Sequence, residues 1–409
     1  MEEVEILVQR GRGLVELKRY PAAIAELKKA LSVEPEHFLA LVLLCGCYID
    51  TKDKKPALGY AQKLVSTNPS EDIAHYYLAL AWDMNSEPVK AMEEIRTAIE
   101  IDPYDADYFG FLAALYIENR DYKKALEFVE KGLEVNPENV LCLNHRTLIL
   151  TKLGRKDEMA SAAEDTLSAS PDNWYSHANV GWSYLQSGDH KAAREHFMEA
   201  LRLNPNAEHA RDGMKESLKA QNVIFRWYLN YAFWMADKGD KVQWVFIIGF
   251  ILVRRIFSSL AQTYPAFYGV VAMMFLLVYS MWIMDPIGDF ILLTNRFGRH
   301  LLGDHEKKAG WITGLGLGIS IVLALAGVAM GMEELYFAAG VVATSIIPLG
   351  RFFHSEPTTR TRFAHIATFV VVSLAVATLA DIFILQNGIW LGVYISSLVI
   401  YSFTMNFQK

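Results

Sequence analysis

Residues 174–207 read WYSHANVGWSYLQSGDHKAAREHFMEALRLNPNA, and the way this stretch closes decides the fold. It ends on Asn204-Pro205. The same closure stands at Glu34-Pro35, Asn68-Pro69, Asp102-Pro103, Asn136-Pro137 and Ser170-Pro171, 34 residues apart each time. A residue before proline is pushed out of the helical region of backbone space, so each dipeptide stops a helix at the same point of a repeating unit. Twelve positions before each proline stands Ala23, Ala57, Ala91, Ala125, Met159 or Ala193, and five before it Ala30, Leu64, Ala98, Gly132, Thr166 or Ala200. Small side chains at these places let two helices of one unit approach closely.

This pattern resembles the tetratricopeptide repeat, a helix–turn–helix of 34 residues with small residues at fixed places in both helices and proline at its end. The sixth unit carries Gly181, Tyr184, Ala193, Phe197, Ala200 and Pro205; the first carries Gly11, Leu14, Tyr20, Ala23, Leu27, Ala30 and Pro35. The resemblance implies an all-α solenoid of helical hairpins in six units, 4–37, 38–71, 72–105, 106–139, 140–173 and 174–207. No single pair buries its apolar face, so stability comes from stacking and each end needs a cap. Residues 208–221, with Ala210, Met214, Leu218 and Gln221 on one stripe, fit a capping helix. The fifth unit departs most, with Arg146, Thr147 and Met159 where the pattern wants Leu, Gly and Ala. Looser packing is expected there.

Charge divides the chain. Residues 1–222 hold 26 Lys/Arg against 36 Asp/Glu, and residues 223–409 hold 13 against 10. The acidic front half excludes nucleic acid as a partner, because affinity for phosphate backbones needs clustered cations. The start, Met1-Glu2-Glu3-Val4-Glu5, lacks the basic and apolar features of a cleaved signal, so the repeats are expected to stay in the compartment of synthesis. Cys45, Cys47 and Cys142 form neither a CxxC pair nor an even set and read as small buried hydrophobes.

In the tetratricopeptide family the first helix of each unit forms the concave wall. The resemblance places Val8, Arg12 and Val15 there in the first unit, Leu39, Val42 and Ile49 in the second, and Ile73, Tyr76, Leu80 and Met84 in the third. The fourth contributes Asp107, Ile117 and Glu118, and the sixth Tyr175, Trp182 and Leu185. Such an apolar wall suits a protein or peptide partner presenting an apolar or amphipathic helix. The Lys–Asn–Asn–Lys–Arg clamp that some members use for chaperone carboxyl termini is replaced by Val8, Arg12, Leu43, Ile73 and Tyr77, so chaperone docking of that kind is not expected.

A membrane span needs about 20 mostly apolar residues. Six runs qualify, 242–262, 266–284, 309–330, 334–352, 365–385 and 389–406, with five or seven as alternatives because the first and fourth are the least clear. Arg296, Arg299, Lys307 and Lys308 lie between the second and third runs, and Arg351, Arg360 and Arg362 between the fourth and fifth; the other connections carry no Lys or Arg. The positive-inside rule then predicts a polytopic transmembrane domain with basic loops, both termini and the repeats in the cytoplasm. The implied location is a bacterial cytoplasmic (inner) membrane, with the lipid bilayer as a second partner.

Several details belong to that reading. Residues 222–241, including the aromatic run VIFRWYLNYAFWM at 223–235, read as an interfacial helix or, alternatively, a segment folded back into the groove. Asp285-Pro286 has the form of a helix start. Gly310, Gly314 and Gly318 make a smooth ridge for helix packing. Arg254, Arg255 and Asp381 fall inside apolar runs, where a charge costs about 2.5–3.5 kcal/mol. Either an Arg–Asp pair joins the first and fifth runs, or the arginines reach an interface.

Catalytic signatures are missing: no HExxH, P-loop, GxSxG or Rossmann fingerprint occurs. His300, Asp304, His305 and Glu306 share a segment without the helical spacing of a metal site. The expectation is a non-enzymatic, membrane-anchored adaptor without cofactor or metal. The alternative is a transporter or channel with a regulatory repeat domain.

Overall fold

The computed structural model describes residues 2–236, 238, 240–354 and 359–382, together with 393, 394, 397 and 401. They are helical throughout, joined by short turns, and fall into two units: Met1–Ser187 with Glu199–Ala207, and Gly188–Met198 with Glu208–Lys409.

The first unit is built from helix pairs. These are α1 (Glu2–Glu16) and α2 (Tyr20–Val33), α3 (Phe38–Asp50) and α4 (Lys54–Thr67), α5 (Asp72–Met84) and α6 (Pro88–Ile101), α7 (Ala106–Glu118) and α8 (Tyr122–Val135), and α9 (Val140–Lys152) and α10 (Lys156–Ala169). α11 (Trp174–Ser187) ends the series within this unit, and α12 (His190–Leu203) is divided, with 190–198 in the second unit and 199–203 in the first. The residue before each proline ends the second helix as its local chemistry demands. Glu34 is extended at φ −128° and ψ 92°, and its N–H donates to the Ala30 carbonyl at 2.9 Å. Asn204 repeats that bond to Ala200 at 2.9 Å.

The turn inside each pair has its own period. Lys18, Lys52, Ser86, Arg120, Gly154 and Gly188 all have positive φ, between 56° and 97°, at the 34-residue spacing. Four of them carry side chains in a conformation that costs an L-residue about 1–2 kcal/mol. Lys52→Gly is therefore expected to raise stability by about 0.5–1 kcal/mol once the extra freedom of unfolded glycine is counted. A higher urea midpoint at unchanged slope would show it.

Close approach follows from the small residues. Ala23, Ala57, Ala91, Ala125 and Ala193 are all 0% exposed. A Cβ on Gly11 would sit 2.6 Å from Leu27 Cδ2, and one on Gly132 2.6 Å from the Cys142 sulfur. Burial pushes the thiols of Cys45 and Cys142 up to about 12 and that of Cys47 to about 11, so all three stay protonated.

First helices pack side by side, α1 on α3, α3 on α5, α7 on α9 and α9 on α11, and each of α2, α4, α6, α8 and α10 packs on the first helix that follows it. Between α5 and α7 the join is aromatic and polar: the rings of Tyr76 and Tyr108 lie 5.1 Å apart, and the Tyr108 hydroxyl donates to Asp72. No comparable packing joins one second helix to the next among the described residues. The first helices thus line one side of the array.

The fifth pair is not looser. Thr147 and Thr166 are 0% exposed, and their hydroxyls bond each other at 3.0 Å. Arg146 bridges Glu130 at 2.9 Å and Asp165 at 3.2 Å. A hydroxyl pair and an ion triad thus replace the missing glycine and leucine. Farther along, Asn144 donates to Ser176 at 3.0 Å and accepts from Asn179 at 3.0 Å, a polar ladder from α9 to α11.

His145, on α9, bonds the Gly110 carbonyl through Nδ1 at 3.2 Å, and burial lowers its pKa to about 4. The unfolded chain takes up this proton first, so the contribution to stability is full above about pH 6.5 and is lost as pH falls toward 4. At pH 5 the loss is about 2 kcal/mol. His145→Gln should remove that part of the acid sensitivity, read as the difference between urea midpoints at pH 7 and pH 5.

The second unit contains α13 (Glu208–Lys219), α14 (Val223–Ala236), α15 (Asp240–Thr263), α16 (Phe267–Thr294), α17 (Gly298–Leu301), α18 (Asp304–Met330), α19 (Glu333–His354) and α20 (Thr359–Ala380). α13 buries Ala210, Gly213, Met214 and Leu218, and two lysines beside them. Lys219 Nζ lies 3.1 Å from Glu216 and 3.3 Å from Asp289; Lys215 Nζ lies 2.9 Å from Asp212 and 2.8 Å from Glu306. α14 seats Phe225 and Leu229 in the interior, its Tyr228 hydroxyl donates to Asp285 at 3.2 Å, and Trp227 stays exposed.

The polytopic transmembrane fold class is overturned. Among the described residues one helix, α18, is long and apolar enough to cross a membrane by length and composition, where six were expected. The multi-pass inner-membrane location, the loop-charge topology and the bilayer as partner lose their basis with it. α15 carries Arg254 and Arg255, α16 carries Asp285 and Asp289, α19 opens on Glu333-Glu334, and the apolar part of α20 is Ile366–Ala380. Most of the run 389–406 lies outside the described residues.

Asp285-Pro286 does not open a helix. α16 runs through Pro286 to Thr294, and the proline ring, which cannot continue the backbone ladder, is seated against Gly350 of α19, where a Cβ would come within 3.3 Å of its Cγ.

Candidate partner-binding groove

The inner face of α3, α5 and α7 is built by register. Positions three and four apart share a helix face, so Leu39 and Leu43 on α3, Ile73, Tyr76, Tyr77 and Leu80 on α5, and Phe111 on α7 fall in line. Leu39, Leu43, Ile49, Ile73, Tyr77 and Met84 pack against the core from its margin and stay half-buried. Tyr76 meets Tyr77 at 5.8 Å, Tyr108 at 5.1 Å and Phe111 at 5.9 Å between ring centres. Burial holds the Tyr76 hydroxyl at about 12 and raises that of Tyr77, so both remain neutral donors at physiological pH.

Among the residues assigned to the wall from sequence, Val15, Ile49, Ile73, Tyr76, Leu80, Met84 and Trp182 are half-buried, and Arg12 and Tyr175 are exposed. Val8, Val42 and Leu185 are buried in the packing between helices. The accessible apolar surface therefore centres on α3 and α5. Tyr108 on α7, its hydroxyl spent on Asp72, and the Asn144 ladder were not anticipated; the 34-residue register, which sets 77 beside 111 and 144 beside 178, was the available signal.

In the second unit the three ridge glycines part company. A Cβ on Gly310 would lie 2.7 Å from Leu293, and one on Gly314 2.2 Å from the Phe290 ring, whereas Gly318 meets nothing within 4 Å. Arg254 is half-buried, Arg255 exposed, and Asp381 1% exposed just beyond α20. Glu306 is occupied, taking Lys215 on one oxygen and the Gly303 N–H on the other at 2.8 Å each. Among the described residues no group of three or more His, Cys, Asp or Glu is arranged to hold a metal ion.

The tetratricopeptide repeat family matches residues 14–82, 106–139 and 174–207. No curated protein matches the chain. Among solved structures the chain is similar to the MamA protein, at 23% identity over 42% of this chain and 93% of that one with a TM-score of 0.36. It is also similar to PilF of Pseudomonas aeruginosa, at 16% identity over 52% of this chain and 96% of that one with a TM-score of 0.43. A third similarity is to the APC/C hetero-tetramer Cut9–Hcn1, at 16% identity over 53% of this chain and 43% of that one with a TM-score of 0.47. The recurring period, the hairpins closed by a residue before proline and the matched segments agree, and the matched segments of the chain are tetratricopeptide repeats.

Proposed function

We propose that the chain is a protein-interaction scaffold without catalytic activity of its own, whose concave wall over α3 and α5 takes an apolar or amphipathic segment of a partner protein. The observation that carries this reading is apolar area left over after stacking. Leu39, Ile49, Ile73 and Met84 pack on the core from one side and keep another side open, and Leu80 is half-buried on the same helix face as Ile73. Anchors at i, i+3, i+4 and i+7 of an incoming helix would cover that surface, at about 25 cal/mol per Å² of apolar area removed from water. A transporter reading has no comparable support, since it needs a bundle of spans.

Isothermal titration of the full chain with amphipathic peptides tests the proposal. Ile73→Glu with Leu80→Glu should abolish binding while the helical signal and thermal midpoint stay near the parent's. Unchanged binding by that variant would remove the groove from consideration.

A further inference from the structure

The wall has an edge whose charge the fold does not use. The carboxyl-terminal end of a helix is the negative end of its dipole, so cations are stabilising there and carboxylates are not. Four successive first helices nevertheless finish on acids: α1 ends at Glu16, which Arg12 pairs at 3.4 Å, and the next three carry theirs without such a cation. α3 ends at Asp50, α5 carries Asp83 in its last turn, and α7 ends at Glu118. The 34-residue register sets Asp50, Met84 and Glu118 in equivalent positions, with Asp83 next to Met84, so the acids lie along one rim of the same apolar wall. At the equivalent position of α9 the residue is Lys152, and the row stops.

The fold does not neutralise this rim. Tyr20 donates a hydroxyl to Asp50, which leaves the carboxylate charge in place. No ion pair to Asp83 or Glu118 occurs among the described residues, and the groups acting on them are burial and, for Glu118, Asp83 itself. Both carboxyls sit above the usual carboxylate range for those reasons. Some acids elsewhere in the array are matched within their own helix, as in Glu26 with Lys29, Glu127 with Lys131 and Glu158 with Arg155.

We infer that the groove's occupant is a cationic amphipathic segment, laying apolar anchors on Leu39, Ile73 and Leu80 and Lys or Arg side chains along the rim of Asp50, Asp83 and Glu118. This rests on the groove reading above and adds the charge of the partner. Apolar contact supplies the affinity, and the rim selects among amphipathic segments by sign and fixes the direction in which they lie.

Two labelled 18-residue peptides with the same leucine pattern, one with lysines and one with glutamates on the polar face, are titrated into the full chain by fluorescence anisotropy. The lysine peptide should bind about tenfold more tightly or better, with an affinity that falls as salt rises. Asp50→Asn, Asp83→Asn and Glu118→Gln combined should erase that preference. Glu100→Gln, Glu134→Gln and Glu164→Gln, which change net charge equally on the second helices, should keep it. Equal binding of both peptides, or equal loss in the two triple variants, overturns the inference and leaves the groove standing. Binding of neither peptide overturns both. Circular dichroism on each variant shows whether the fold is intact, and replacing only Glu118, exposed at a helix end, gives a smaller change of the same sign if the triple variant unfolds.

Discussion

Lys219→Met is expected to destabilise the second unit by about 3–5 kcal/mol. Lys219 is 4% exposed, and its ammonium stands between Glu216 and Asp289, at 3.1 and 3.3 Å, with the Phe225 ring centre 5.5 Å away. Burial opposes the charge on Lys219, but Glu216, Asp289 and Asp285 outweigh it and raise its pKa above the ordinary lysine value. Methionine fills similar volume, so little of the expected loss is cavity. What remains is Asp289, 3% exposed, without its cation. If the charge is the cause, Lys219→Met combined with Asp289→Leu and Glu216→Leu should recover most of the loss, because an apolar replacement of a whole buried cluster is often near neutral. The linkage has a definite sign. A lysine whose folded pKa is raised contributes stability that is complete below about pH 10.4 and disappears as pH climbs through the folded value. The parent should therefore lose stability in alkali more steeply than the triple variant. A single Lys219→Met variant with an unchanged denaturation midpoint would show that the lysine is solvated and the cluster is not a structural clasp.

That cluster marks where reading the sequence stops. The twelve paired helices were legible because their determinants are local: proline acts on the residue before it, and alanine at a fixed offset acts on the neighbouring helix of the same hairpin. Lys215 and Lys219 are different. On α13 they resemble the polar side of an ordinary cap, and the carboxylate that meets Lys215 comes from Glu306, 91 residues later. Periodicity carries no record of such partners. The left-handed turns are hidden for another reason. Lys18, Lys52, Ser86 and Arg120 stand where glycine would have announced the conformation, and stacking of the hairpins holds them there. Asp285-Pro286 satisfied every local rule for a helix start and was overridden by a neighbouring helix that offers Gly350 to the proline ring. The six-span expectation is overturned because, among the described residues, α18 alone is long and apolar enough to span. The candidate groove sits between these cases, since register gives a helix face and packing shows which of its side chains remain open.

Phe197→Ala is expected to cost about 3–5 kcal/mol, the other large effect in the chain. The ring is 0% exposed and belongs to α12, and across from it α13 offers Gly213. An ideal Cβ on that glycine would lie 2.2 Å from ring atoms Cε1 and Cζ, so the ring occupies the space a side chain would need. Gly213→Ala alone therefore forces an aromatic side chain out of its place, at about 1–3 kcal/mol from overpacking, despite removing the helix penalty of glycine. The two changes should not add. In Phe197→Ala with Gly213→Leu the new side chain grows into the volume the ring has left. The double variant should then be more stable than the sum of the singles by 1 kcal/mol or more, which urea denaturation of the three variants against the parent measures directly. Additivity within about 0.5 kcal/mol would mean that the ring and the glycine do not share that space and that the cap is held by its ionic clasps alone.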